Sequence, residues 1–290
     1  MKTNSIRIAA VALTGLLWLQ PASAQDAVTD RVIEAEQKLR ARVGYSMLDL
    51  TSGETAGYRS DERFPMLSTF KVPLCAAVLA RVDAGEEDLD RRITYSSADL
   101  VEYSPVTEQH VESGMTLSDL CEAAITMSDN TAANLLLESV GGPEGLTAFL
   151  RATGDGISRL DRWETELNEA LPDDPRDTTT PQAMVATLDR LLFGGILSES
   201  ARKTLVTWME NNLVADDLIR ASLPQGWYIA DKSGAGARGS RAITGVLGPE
   251  GRPERIVAIY MTETPASIET RNAEIAAIAK VIVADWNAKE

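Results

Sequence analysis

WYIADKSGAGARGSRAITGVL, residues Trp227 to Leu247, can be read in two ways, and the choice decides the fold. Gly234-Ala235-Gly236-Ala237-Arg238-Gly239 matches the dinucleotide fingerprint G-x-G-x-x-G and follows a strand-like run, Trp227 to Lys232. A true fingerprint opens a helix whose N-terminus meets a pyrophosphate. Here Ala242-Ile243-Thr244-Gly245-Val246-Leu247 continues as strand, so the glycines belong to a hairpin loop. An antiparallel sheet is expected, and no cofactor.

Outward from this hairpin, Arg255 to Thr262 reads as a further strand and Ile268 to about Trp286 as a closing helix. Near the other end, Asp30 to Arg42 carries Val32, Ile33, Ala35 and Leu39 at helical spacing. Val43 to Leu50 and Glu54 to Arg59 then read as strands around the turn Thr51-Ser52-Gly53. Between the two strand regions, from Ser68 to about Leu213, the pattern is helical with legible caps. Thr116 with Asp119 resembles a capping box, Gly141-Gly142-Pro143 ends one helix and starts another, and Thr180-Pro181 and Ser198 are further N-caps. Periodicity fails between Arg159 and Thr180, although Leu160, Trp163 and Leu167 argue that this long loop is packed.

Strands at both ends and helices between them imply an α+β fold. An antiparallel sheet of about five strands is flanked by helices from both termini. The sheet domain is expected over residues 25–65 and 214–290. The inserted all-α domain is expected over 66–213 with the loop 159–180, with an active site expected between the two.

The 290 residues are 44% hydrophobic and 24% charged, which is globular composition, and a net charge of −15 suits no nucleic-acid partner. Met1-Lys2, Arg7, the apolar run Ile8 to Leu19 and Pro21-Ala22-Ser23-Ala24 form a secretory signal, with cleavage expected after Ala24. The protein is expected to be exported, periplasmic or secreted, with no membrane attachment after cleavage, and monomeric by default. An exported protein keeps disulfides, so Cys75 and Cys121 are expected to be bridged, with two buried free thiols as the alternative. The single histidine, His110, lies in a charged surface-like segment, and these dispersed residues furnish no zinc site.

Ser68-Thr69-Phe70-Lys71 heads the apolar run Val72 to Ala80. On a helix, residues three apart share a face, so the hydroxyl and the amine would meet. A lysine desolvated in a dry site can activate a serine. Ser200-Ala201-Arg202-Lys203 has the same spacing, but it sits among Glu199, Arg202 and Glu210 and reads as a solvated helix face. Two more short patterns follow in order, Ser128-Asp129-Asn130 and Lys232-Ser233-Gly234.

With Arg162-Trp163-Glu164-Thr165-Glu166-Leu167-Asn168 and Gly239-Ser240-Arg241, this set resembles the class A serine β-lactamases over nearly the whole chain after the signal. The resemblance implies that Ser68 is the nucleophile. The proton of Ser68 would pass to Lys71, or to Glu164 through a water, and Ser128 would protonate the departing lactam nitrogen. The backbone N–H groups of Ser68 and Ala235 would form an oxyanion hole. Glu164 and Asn168 would hold the water that releases the acyl-enzyme. Lys232, Ser233, Gly234 and Arg241 would bind the substrate carboxylate side, Asn130 the acylamino group, and Tyr103 would form an aromatic wall. Arg162 and Asp177 resemble a pair tying the loop ends, and Glu166 and Glu169 read as solvated acids.

Two departures from the family pattern bear on geometry and spectrum. Thr165 stands where proline often follows the catalytic glutamate. Leu67 and Gly236 cannot form the bridge common in carbapenem-hydrolysing relatives, which favours penicillins and early cephalosporins as substrates. A penicillin-binding DD-peptidase shares the three short patterns, and so does a non-enzymatic β-lactam sensor, but both lack a counterpart of Glu164 and Asn168.

Overall fold

The computed structural model describes residues 27–287, the last two by backbone alone. The expected signal segment, residues 1–24, lies outside the described residues. In order along the chain come α1 (Ala27–Leu39), β1 (Arg42–Asp49), β2 (Thr55–Tyr58), β3 (Phe64–Pro65), α2 (Lys71–Asp83), β4 (Arg92–Ile93), β5 (Met115–Thr116), α3 (Leu117–Thr126) and α4 (Asn130–Ser139). They are followed by α5 (Gly142–Ala152), β6 (Thr178–Thr179), α6 (Pro181–Leu192), α7 (Glu199–Glu210), β7 (Tyr228–Ala235), β8 (Arg241–Gly248), β9 (Arg255–Thr262) and α8 (Ile268–Asn287). Among the described residues, no helix is long and apolar enough to cross a membrane.

The main sheet is antiparallel with the order β2-β1-β9-β8-β7. The last strand of the chain thus lies beside the first, which brings the two ends of the sequence into one sheet. Successive strand residues point to opposite faces, and β9 shows the consequence. Val257, Ile259 and Met261 pack with α1 and α8 residues such as Val32, Ile275 and Ile282. Ile256, Ala258 and Tyr260 face the helical side, with Phe64, Phe70 and Leu188. Both faces are covered, so β8 and β9 are buried throughout and read as near-continuous apolar runs. On the helical side, α2 lies in the middle: Val72 and Leu74 to Val78 are buried against residues of α3, α4, α6 and α7.

The expected caps are present. Thr116 and Asp119 form a reciprocal capping box on α3, and Thr180 and Ser198 accept from the third residues of α6 and α7. Ser200 and Lys203, which repeat the Ser68–Lys71 spacing, are exposed on α7, and His110 is exposed as well.

The bridge expected between Cys75 and Cys121 is not formed, and both are buried free thiols. They lie on the packed helices α2 and α3, with Cys75 Sγ donating toward the Cys121 carbonyl oxygen at 3.8 Å. Burial, then Cys75, push the Cys121 thiol well above its ordinary value. Burial in this apolar setting disfavours the thiolate.

Candidate active site

Ser68 does not lie in α2 itself. It occupies a 3-10 turn, Leu67–Phe70, that leads into α2 at Lys71. Leu67 takes a positive φ of 52°, a conformation uncommon outside glycine that clusters at functional sites. The turn leaves Ser68 7% exposed while Lys71 is completely buried. Lys71 Nζ donates to Asn130 Oδ1 at 2.7 Å and to the Ser128 carbonyl at 2.9 Å. It also lies 3.2 Å from Glu164 Oε1. Burial pushes the Lys71 ammonium down, and the charge of Glu164 opposes that shift.

The Ser128-Asp129-Asn130 segment is held by Asp129, which caps α4 through Ala132 N and is wholly buried. The same carboxylate accepts from Val106 N, Thr107 N and Thr107 Oγ1, so one side chain anchors the neighbouring loop. Asn130 completes the link: its N–H reaches the Tyr103 carbonyl at 3.0 Å and its side-chain amide the Glu102 carbonyl at 2.9 Å. Tyr103 thereby stands at the cleft, 53% exposed.

From the sheet, β7 brings Lys232, whose Nζ donates to Ser128 Oγ at 3.1 Å and to the Ser233 carbonyl at 2.9 Å. Burial, reinforced by the charge of Lys71, holds the Lys232 ammonium well below its usual range. Ser233 Oγ donates to the Val214 carbonyl at 3.2 Å. Arg241 reaches back from β8 to the Gly234 carbonyl at 3.0 Å, and its Nε donates to Asn272 Oδ1 at 2.8 Å. Burial first, and then the charge of Arg271, push the Arg241 guanidinium down to about 10.

Gly234 is where strand and turn touch. A Cβ there would lie 2.6 Å from Leu67 Cβ and 2.9 Å from the Ser68 nitrogen, so only hydrogen fits. Gly234→Ala is expected to force β7 away from the Ser68 turn at a cost of about 1–3 kcal/mol. Its melting temperature should fall together with activity, and a variant melting like the parent would disprove the close approach.

The long loop delivers Glu164, only 2% exposed, and Asn168, whose amide donates to Glu164 Oε2 at 2.5 Å. The Glu164-Thr165 peptide is cis. Asn134 holds the Glu164 backbone from both sides, accepting from its N–H and donating to its carbonyl, each at 2.9 Å. Sequence reasoning missed Asn134, although it lies four residues after Asn130 and so on the same face of α4. Ala237 N donates to the Asn168 carbonyl at 3.0 Å, tying the Gly-rich hairpin to the loop. Two buried oxygens in this group have no hydrogen-bond partner, Glu164 Oε1 and Asn168 Oδ1. The 3.2 Å approach of Lys71 to the former is an ion pair without hydrogen-bond alignment. Glu166 and Glu169 are exposed.

These elements enclose a cleft of about 540 Å³. Ser68, Ser128, Asn130, Asn168, Ala235 and Arg241 are among its lining, together with Tyr103, Ser233 and Gly234. Lys71, Lys232 and Glu164 sit beneath that surface, within reach of the groups that line it. The arrangement can activate a hydroxyl, carry a proton between two serines' surroundings, and hold an anion on buried cations, with no sequence-predicted site residue left outside it except the two cysteines.

A model described as a β-lactamase enzyme family matches residues 25–286. Among solved structures, the class A β-lactamase of the last common ancestor of Gram-negative bacteria is 55% identical, with 90% of this chain and 99% of that one covered and a TM-score of 0.88. Another ancestral class A β-lactamase is 54% identical, covering 89% and 99%, with a TM-score of 0.87. A point variant of the ancestral protein is 52% identical, covering 91% and 100%, with a TM-score of 0.89.

Proposed function

This chain belongs to the class A serine β-lactamases, and from that premise we propose that it hydrolyses penicillins and early cephalosporins through an acyl-enzyme on Ser68. The Ser68 oxygen attacks the lactam carbonyl as its proton leaves toward Lys71, or through a water toward Glu164. The tetrahedral oxyanion is held by the N–H groups of Ser68 and Ala235, where losing one such donor typically costs about 3 kcal/mol. Its collapse breaks the C–N bond, and the nitrogen takes a proton from Ser128 Oγ, which Lys232 contacts at 3.1 Å; the proton taken from Ser68 passes on to Ser128, which leaves Lys71 and Glu164 as they began. Water, deprotonated by Glu164, then attacks the ester, releasing the ring-opened acid and returning the proton to Ser68.

The observation that carries this reading is the convergence of Lys71, Glu164 and Asn168. A buried carboxylate lies 3.2 Å from the lysine and 2.5 Å from the amide, and one oxygen on each of Glu164 and Asn168 remains free to engage a water. A surface acid would have neither the burial nor the partners. The Arg241 fork, Ser233 and Lys232 supply local positive charge and donors for the substrate carboxylate in a protein of net charge −15. Asn130 offers its amide to the acylamino side chain. Export to the periplasm or medium, where such drugs are met, and a monomeric state belong to the same proposal.

The test is a chromogenic cephalosporin in excess over purified protein, followed by colour and intact mass. Many turnovers per protein are expected. One equivalent of colour with a lasting adduct would replace this reading by a sensor or a transpeptidase.

A further inference from the structure

Arg241 is held from the side by α8, through Nε to Asn272 Oδ1 at 2.8 Å. Ile268 is the first residue of that helix, four before Asn272, so the two share one face. The face that steadies the guanidinium therefore also presents an aliphatic side chain one turn nearer the helix start. Ile268 lines the same cleft as Arg241 and is 40% exposed. Among the described residues, Val214 and Ile268 are the only aliphatic side chains larger than alanine in that lining. Val214 is tied through its carbonyl to Ser233, whereas the exposed surface of Ile268 belongs to no contact that the catalytic steps require.

We propose that Ile268 is a specificity-determining residue, an apolar wall for the substituent that a cephem carries on the carbon next to its carboxylate-bearing carbon. The inference rests on the reading that Arg241 receives that carboxylate. In a cephem the carboxylate and this substituent occupy adjacent ring carbons. A group flanking the guanidinium therefore meets the substituent when the carboxylate is seated. Burying an apolar substituent against an apolar wall favours binding, whereas a cationic substituent brought there would meet both desolvation and the Arg241 charge. Cephems with neutral apolar substituents at this carbon are thus the class that the wall selects.

The test compares two cephalosporins with one common acylamino side chain, one bearing a methyl and the other an arylalkenyl group at that carbon, neither of which departs on ring opening. For Ile268→Ala, the KM of the arylalkenyl compound relative to the methyl one should rise by about tenfold, the scale expected for lost methylene contacts in an apolar pocket. Ile268→Leu should return the ratio to within about twofold of the parent value. Because both substrates are measured on the same protein, a folding defect cancels from the ratio. An unchanged ratio in Ile268→Ala, or one that Ile268→Leu fails to restore, would overturn the proposal. Absence of turnover of either compound by the parent protein would instead remove the reading on which the proposal rests.

Discussion

Glu164→Gln is expected to leave a penicillin covalently attached to Ser68, with release slowed by about 10²–10⁴-fold, the usual worth of a positioned general base. Two features of the site set this expectation. Glu164 is buried and accepts the Asn168 amide on Oε2, and a glutamine cannot take up a proton from water at any pH of interest. Its own amide must also either face the Asn168 donor or occupy the Oε1 side beside the Lys71 ammonium, so the water-holding geometry suffers as well. Intact mass after mixing should show one adduct that persists for the slowed turnover time. The rate at which the adduct forms is separately informative. With the Glu164 charge gone, the largest effect opposing burial at Lys71 is lost and the Asp129 charge remains, so the Lys71 ammonium is pushed further down. If Lys71 accepts the Ser68 proton, acylation remains fast; if Glu164 does so through water, acylation slows along with release. Parent-like turnover by the variant would refute the assignment of Glu164.

Where the sequence was informative, the information was local. The hairpin reading of Trp227 to Leu247 predicted two strands and a glycine-rich turn, and β7 and β8 pair across it in register from Tyr228 opposite Gly248 to Ala235 opposite Arg241. Caps at Thr116, Thr180 and Ser198 were legible because a short polar side chain before an apolar period has one physical use. The docking of β9 between β1 and β8 was not written in any single segment, since a strand buried on both faces carries no alternation to indicate its neighbours. The two-residue ladders β3 with β6 and β4 with β5 were also missed, being too short to leave a periodic signal. At the site, residue types at fixed spacing could be read, but the support behind them could not. Asn134 is one asparagine on a helix until the long loop folds over it. The role of Asn272 beside Arg241 depends on α8 meeting β8, a contact between segments 31 residues apart. The positive φ of Leu67 falls where β7 and the Ser68 turn press together, and nothing in Leu67 itself announces it. The cysteine expectation failed for a related reason: compartment and count say nothing about what a buried thiol meets once α2 packs on α3.

The second large effect is expected at Arg162, where the neck of the long loop is closed. Arg162 Nε donates to Asp177 Oδ2 at 2.6 Å, and the other carboxylate oxygen accepts the backbone N–H groups of Asp161 at 2.7 Å and Arg162 at 2.9 Å. Asp177 is fully buried. The contact from Arg162 to Glu169 is solvent-exposed on the acid's side, and pairs of that kind contribute about 1 kcal/mol or less. Arg162→Ala therefore acts mainly by leaving the Asp177 charge buried and short of its cation, a loss of about 3–5 kcal/mol in comparable buried pairs. That is a large fraction of the 5–15 kcal/mol by which domains are typically stable. The damage should stay on one side of the neck. The Asp177 carbonyl still accepts Met66 N at 2.9 Å, and Thr178 and Thr179 still pair with Pro65 and Phe64. Those links fix the segment that enters the Ser68 turn, so formation of the acyl-enzyme should survive. Residues 161–169, which carry Glu164 and Asn168, lose the guanidinium part of their tether and keep the backbone bonds to Asp177 and Asn134. The variant is expected to melt earlier, to be cleaved within residues 159–180 by a protease that leaves the parent intact, and to lose more in release of the acyl group than in its formation. Arg162→Lys, which keeps a charge but not the guanidinium's directed Nε donor, should fall between the two. Protease resistance equal to the parent's in Arg162→Ala would mean that the loop is held by its packed face through Leu160 and Leu167, and that the buried pair is not what closes it.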